Sequence, residues 1–252
     1  MSGKIIAITG ANGGLGNALS KRFAADGDKV VLLGRTLSKV QSVADQIGEN
    51  AWAIECVVAD PDSVKNAFEK IASRYGKIDA LINNAAVFQP SPLEASSAET
   101  IVDSISSNLI GPILCSRAAI PLLSHGGHII NVSSESVVME FPHMVLYQAG
   151  KAGLERFSTS LNLELESKGI RVSIVRAGQM YGPEGSISMD AEAGAKFYEA
   201  CITRGINLLE RGVSRYTATT DAFRLIIDSP ADLSIGTITY QGRLPSDGKL
   251  LL

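Results

Sequence analysis

The chain is poor in the residues that metal centres, disulfide frameworks and nucleic-acid surfaces need. It has three cysteines and three histidines in 252 residues. Cys56, Cys115 and Cys201 are odd in number, lie far apart and form no C-x-x-C pair, so they read as small buried hydrophobes in a reducing compartment. His125 and His128 have no acidic or thiol neighbour, and no metal site is expected. No block of Lys or Arg occurs, and the formal net charge is −3, which argues against nucleic acid or an anionic membrane as the main partner. No apolar stretch approaches the ~18 residues of a membrane span. The run Ile5-Ile6-Ala7-Ile8 is too short for a signal-peptide core, so a cytoplasmic location is the expectation.

What the chain does have is alternation. Short β-branched apolar runs at 4–9, 29–34, 52–58, 78–82, 127–133, 170–175 and 236–240 alternate with amphipathic stretches at 14–26, 37–48, 61–74, 97–123, 146–168 and 219–228. Continuous apolar strands separated by helices imply a parallel sheet covered on both faces. The expected fold is α/β: a single Rossmann-like, doubly wound domain over 1–252, with a seven-stranded parallel sheet flanked by helices. The long stretch 180–218 lacks a strand signal, and its place before the last strand suits a substrate lid.

Directly after the first apolar run comes Thr9-Gly10-Ala11-Asn12-Gly13-Gly14-Leu15-Gly16. Gly10 allows a tight turn, Gly14 lets backbone amides approach a pyrophosphate, and Gly16 lets the helix pack close on the strand. A helix amino terminus then offers free N–H groups and a positive dipole end to the anion. Strand before and helix after make this a dinucleotide site, and the absence of a following Lys-Ser/Thr argues against a nucleotide-hydrolysing loop. The second strand ends with Gly34-Arg35-Thr36. A carboxylate at position 34 would bind ribose hydroxyls and repel a 2′-phosphate. Here Gly34 leaves that place to Arg35, with Thr36 and Lys39 nearby, so NADP(H) is preferred over NAD(H).

Tyr147 and Lys151 stand four apart, on one helix face. A free tyrosine titrates near pH ~10; an ammonium one turn away is expected to pull it toward neutrality. Ser134 lies thirteen positions before the tyrosine, after the fifth strand.

In this order the motifs resemble those of the classical short-chain dehydrogenases/reductases, from about residue 4 to 241. Thr9-Gly10-(x)3-Gly14-x-Gly16 matches the cofactor turn. Asn83-Asn84-Ala85-Ala86 resembles N-N-A-G with its last glycine replaced. Asn108 falls at the family's helix asparagine, and Ser134, Tyr147 and Lys151 match its serine and Y-x-x-x-K. The resemblance implies that Tyr147 exchanges a proton with the carbonyl oxygen, that Ser134 hydrogen-bonds the same oxygen, and that Lys151 holds the nicotinamide ribose and lowers the Tyr147 pKa. Asn108 would hold a water relaying protons to Lys151. Gly10, Asn12, Gly14, Leu15, Gly16, Arg35, Thr36, Val58, Asn84, Gly178 and Met180 would contact the cofactor together with Tyr147 and Lys151, and Asn83 would tie strands. Departures are Val57 at the adenine position, leaving only the Val58 backbone there; Ala177-Gly178 for Pro-Gly; and Gly182 for the carboxamide-clasping threonine, whose work passes to backbone around Gln179 and Met180. A homotetramer or homodimer, paired through helices 97–123 and 146–168, is also implied.

Lined by the segment between Ser134 and Tyr147, by residues near Gln89 and by the 180–218 insertion, the expected pocket is apolar and thioether-rich through Val138, Met139, Phe141, Met144, Met180 and Phe197, suited to a hydrophobic ketone, aldehyde or secondary alcohol. Glu135 and His143 read as loop residues satisfied locally. The leading function is an NADP(H)-dependent reductase of a small-molecule carbonyl. The alternatives are an NAD(H) enzyme running oxidatively and a non-catalytic dinucleotide-binding regulator.

Overall fold

The apolar runs become strands buried on both faces. The structure is a computed structural model and describes residues 3–183 and 189–244. In chain order Ile5–Thr9 (β1), Gly14–Ala25 (α1), Lys29–Gly34 (β2), Leu37–Ile47 (α2), Ala51–Glu55 (β3), Pro61–Tyr75 (α3) and Ile78–Asn83 (β4) form the first half. Ala98–Ile105 (α4), Gly111–Ala119 (α5), Leu123–Ser134 (β5), Val145–Leu165 (α6) and Arg171–Ala177 (β6) follow. Met180–Tyr181 (β7), Ala191–Thr203 (α7), Ser214–Arg215 (β8), Tyr216–Asp228 (α8) and Thr237–Tyr240 (β9) complete the described chain.

Seven strands pair in the order β3-β2-β1-β4-β5-β6-β9, all parallel. This is the expected Rossmann-like sheet. Alternate residues of one strand feed opposite faces. Ile6 and Ile8 of β1 pack with Leu19, Phe23 and Phe223, whereas Ala7 between them packs with Phe68, Ile71 and Leu161. Strand β1 pairs with β2 on one side and β4 on the other, so chain direction across the sheet reverses there. Ligands of such sheets bind in the crevice beyond that switch point, between the ends of β1 and β4.

Several boundaries differ from the sequence expectation. The helix expected over 97–123 is broken into α4 and α5 by a π-turn at Ser106–Ile110, closed by the Gly111 N–H donating to the Ser106 carbonyl. The helical stretch ends as Ile120-Pro121-Leu122 tightens into a 3₁₀ turn, and β5 starts at Leu123 because that residue pairs with Ile78. Strand β3 stops at Glu55, not at residue 58. The Val57 N–H turns to the Ser63 hydroxyl at 2.9 Å, and Asp60 caps α3 by accepting from the Asp62 N–H at 3.0 Å. The cap and Pro61 at the first helical position are what the sequence led one to expect. Helix α8 begins at Tyr216, three residues before the expected start. Within 180–218, residues 184–188 lie outside the described residues; the rest holds β7, α7 and β8. Among the described residues no helix is long and apolar enough to cross a membrane.

Candidate active site

The glycine turn is built as tightly as its sequence implies. Gly10 and Gly14 hold positive φ of 65° and 52°, which other residues adopt only at a cost. At Gly16 the constraint is space: a Cβ would lie 2.3 Å from the Gly10 carbonyl oxygen and 2.7 Å from Asn84 Nδ2. Asn84 Nδ2 donates to the carbonyls of Thr9 at 3.0 Å and Gly10 at 3.2 Å, and the Thr9 hydroxyl accepts from the Asn84 and Ala85 N–H groups. The first role of Asn84 is therefore to fasten the turn to the end of β4. Helix α1 has no side-chain cap on its amino terminus and no acidic residue in its first turn. Such an end, behind glycines that leave no Cβ in the way, fits a pyrophosphate. Leu15 is buried in the core, so only its backbone faces that anion.

Tyr216 was not foreseen. It is buried at the start of α8, and a Cβ on Gly14 would meet its ring and hydroxyl at 3.3 Å. Tyr216 thus crowds any side chain at Gly14, beyond the strain its φ would impose. The two residues are far apart in sequence, so no local signal could have found the contact.

At the adenosine end, β2 finishes at Gly34. A Cβ there would lie 2.5 Å from Cγ1 of the fully buried Val40 and 3.4 Å from the Asn12 amide oxygen. Packing as well as sequence therefore keeps a carboxylate out of this place. Arg35, Thr36 and Lys39 are exposed at the uncapped start of α2, whose first turn also carries no acid. Val58 packs against Gly111, where a Cβ would come within 2.9 Å of its Cγ2.

Ser134, Tyr147 and Lys151 are brought together at the carboxyl end of β5. The Ser134 hydroxyl lies near enough to Tyr147 to favour its phenolate, and Ser134 Oγ accepts from the Ser136 N–H at 3.2 Å. Lys151 is buried, with Nζ donating to the Val132 carbonyl at 2.8 Å and lying 5.7 Å from the centre of the Tyr147 ring. Burial pushes the Lys151 ammonium down to about 8 and the Tyr147 phenol up to about 12, the latter opposed by the neighbouring Ser134 hydroxyl. This reverses the direction expected for Tyr147. The ammonium is turned to the Val132 carbonyl, and desolvation of a phenolate outweighs what remains.

The Lys151 shift has a measurable consequence. Its value falls from 10.5 unfolded to about 8 folded, so between these pH values the unfolded chain binds more protons than the folded one. Stability must then rise with pH across that window, while below it the full cost of the buried charge is present. From about pH 7 to about pH 10 the wild type should gain roughly 2–3 kcal/mol relative to Lys151→Met. Denaturant melts of both proteins check this; parallel pH curves would contradict it.

Asn108 sits in the π-turn and is fully buried. Its side chain accepts from the Val87 N–H at 3.2 Å and donates to the Val87 carbonyl at 2.8 Å. It packs on Gly150, where a Cβ would be 3.0 Å from its own. The asparagine therefore stands beside α6, one residue from Lys151, and both ends of its amide fasten the helix bend to the chain after β4. Asn83 ties β4 to β5 by donating to Asn131 at 2.8 Å, and to α5 by donating to Ser116 at 3.1 Å.

The segment expected to meet the nicotinamide is bonded to β8 and β9. The Gln179 carbonyl accepts from the Ser214 N–H at 3.0 Å, and Met180 lies in the β7–β8 pair. Met180 Sδ accepts from the Tyr240 hydroxyl at 3.4 Å, and Gly178 N–H donates to the Tyr240 carbonyl. These groups brace the sheet end. On the opposite side Phe88 stands edge-on to Tyr147, with centroids 5.2 Å apart, and Phe197 of α7 is 6.2 Å from Phe88. Met144 and Cys201 are buried in the same cluster, with Phe141 packed against it; Val138 and Met189 are exposed. The insertion thus reaches Tyr147 through an aromatic wall in which Phe88, beside Gln89, is the middle ring.

Parallel sheets with a glycine turn at this switch point house dinucleotide-dependent oxidoreductases, and comparison with known proteins agrees with that class. The chain belongs to the short-chain dehydrogenase family, whose model matches residues 4–188. It is 36% identical over 180 residues to carbonyl reductase family member 4 of Danio rerio, covering 71% of this chain and 76% of the relative. It is 34% identical over 178 residues to the 3-oxoacyl-[acyl-carrier-protein] reductase FabG of Escherichia coli K12, covering 70% and 73%. A short-chain dehydrogenase structure from Streptomyces avermitilis superposes with a TM-score of 0.84 at 25% identity, covering 96% of this chain and 89% of that one.

Proposed function

We propose that this oxidoreductase reduces a hydrophobic ketone or aldehyde with NADP(H). The observation that carries the reading is the grouping of Ser134, Tyr147 and buried Lys151, whose Nζ lies 5.7 Å from the Tyr147 ring centre, at the sheet end that also bears the glycine turn. The bound dinucleotide supplies or accepts hydride. Gly10, Gly14, Gly16 and the uncapped start of α1 would hold its pyrophosphate.

Tyr147 donates its hydroxyl proton to the substrate oxygen. With its pKa pushed up to about 12, the phenol is protonated throughout neutral pH, the state that reduction needs. Ser134 donates a hydrogen bond to the same oxygen and steadies the charge that develops on it. Lys151, near 8, exchanges protons at neutral pH and can restore the phenol. Asn108 holds the bend beside it, where a water could connect Lys151 to solvent. The wall of Phe88, Phe141, Phe197 and Met144 favours an apolar substituent on the carbonyl, in keeping with two relatives named as reductases of carbonyl and 3-oxoacyl compounds. We read the insertion over 180–218 as the lid of this site.

The preference for NADP(H) rests on Gly34 and Arg35. With Val40 filling the space of a carboxylate at position 34, no acid stands at that position to repel a 2′-phosphate, and the exposed Arg35 guanidinium can grip it. Arg35→Ala should weaken NADPH binding about 10- to 100-fold, the range of a lost charge-assisted contact, and leave NADH unchanged. Fluorescence titration with both cofactors decides it. Equal NADPH affinity in mutant and wild type would remove the 2′-phosphate role.

A further inference from the structure

Glu135 follows Ser134 directly, and its carboxylate is buried, with only 7% of the side chain exposed. An unpaired carboxylate in such a place is costly. The sequence reading expected it to be satisfied within its loop, but its partners come from far away. Arg211 Nη2 donates to Oε2 at 2.7 Å and Gln241 Nε2 donates to the same oxygen at 2.9 Å, across 76 and 106 residues.

Each partner belongs to a different segment. Arg211 lies near the end of the insertion, just before β8, and Gln241 follows β9. The guanidinium also covers Phe141, its Cζ 5.4 Å from the ring centre, and reaches Met139 Sδ at 3.1 Å. Beside it Gly212 and Gly242 form a backbone bridge so close that a Cβ on either would meet the other's backbone at 2.2–2.4 Å. A cavity of about 230 Å³ opens next to this junction, walled by Glu135, Met139, Arg211 and Gln241. The catalytic loop, the insertion and the segment after β9 therefore meet at one carboxylate.

The backbone carries the consequence back to Ser134. The Glu135 carbonyl accepts from the N–H groups of Val138 at 3.0 Å and Met139 at 3.1 Å, while the Ser136 N–H donates to Ser134 Oγ at 3.2 Å. A shift of Glu135 would move the turn that holds the Ser134 hydroxyl toward Tyr147. We infer that Glu135, clasped by Arg211 and Gln241, is a positioning residue for Ser134 and couples its aim to the seating of the insertion. An ion pair serves this better than an apolar contact, because it fixes direction and register as well as proximity. The inference rests on the proposed role of Ser134.

The test compares wild type with Glu135→Ala, Glu135→Gln and Arg211→Ala. In Glu135→Ala, kcat should fall about 10- to 100-fold, as expected for a displaced catalytic group, while NADPH affinity stays at the wild-type value. Glu135→Gln keeps the shape and two hydrogen bonds and should recover most of the rate. Arg211→Ala also frees Met139 and Phe141 and should raise KM in addition. Hydrogen exchange gives a readout independent of turnover: protection of the Ser136, Val138 and Met139 amides should drop in both alanine variants. Wild-type kcat in Glu135→Ala, or loss of NADPH affinity in step with kcat, would overturn the inference, as would unchanged amide protection. A wild type that turns over no carbonyl contradicts the proposed function alone, and the exchange data still decide the clasp. Should Glu135→Ala fail to fold, Arg211→Ala breaks the same contact from the insertion side, and the same exchange and rate criteria apply to it.

Discussion

Tyr147→Phe should lower kcat about 10³-fold, within the 10²–10⁴ range of general acid–base catalysis, and leave folding and NADPH affinity as they are. The substitution removes one oxygen. The ring keeps its edge-on contact with Phe88 at 5.2 Å, so the aromatic wall that joins α7 to the site is unchanged. What is lost is the proton proposed to pass to the substrate oxygen, and the hydroxyl that stands near Ser134. Single-turnover measurement with saturating NADPH separates this from a binding defect. A rate within tenfold of wild type would mean that another group delivers the proton.

Gly16→Ala should be nearly as damaging, through geometry alone. Its new methyl would stand 2.3 Å from the Gly10 carbonyl oxygen and 2.7 Å from Asn84 Nδ2, and neither can yield without opening the turn. Asn84 would release the Thr9 and Gly10 carbonyls that it now holds. Overpacking of this kind costs about 1–3 kcal/mol of stability, and a displaced phosphate turn should cost NADPH binding about 100-fold or more. Gly236→Ala is the control, since a Cβ there meets nothing within 4 Å; it should bind NADPH like the wild type. Equal NADPH affinity in Gly16→Ala would show that the turn does not hold the dinucleotide.

Much of this architecture is legible in the sequence because it depends on near neighbours. The glycine turn announces itself through residues whose conformations are set within four or five positions, and the shared face of Tyr147 and Lys151 follows from helical periodicity. Asp60 and Pro61 mark the start of α3 for the same reason. What could not be read depends on contacts between distant segments. The break in the helix expected over 97–123 is held by Asn108 gripping Val87 across 21 residues. Tyr216 covers Gly14 from the other end of the chain, and Val40 fills the space beside Gly34. The pKa direction of Tyr147 was misjudged because spacing gives proximity to Lys151 but not burial, nor the Val132 carbonyl that takes the ammonium.

The same division applies to the substrate. Phe197 was legible as an apolar residue in the insertion and the neighbourhood of Gln89 as pocket lining, but the edge-on placing of Phe88 between Phe197 and Tyr147 depends on contacts between distant segments. The strand end at Gly34 shows the reverse case. Sequence suggested that a carboxylate was merely absent there, whereas packing against Val40 shows why one cannot simply be restored.

Under the proposed function, hydride moves between NADPH and a hydrophobic carbonyl, with Tyr147 as the proton donor. That function is tested most directly by following NADPH oxidation by the purified protein across a panel of alkyl and aryl ketones and aldehydes, beside Tyr147→Phe. The account predicts turnover that favours apolar carbonyls, is slower with NADH, and falls about 10³-fold in the variant. NADPH binding without turnover of any panel member, or equal turnover by wild type and variant, would contradict it.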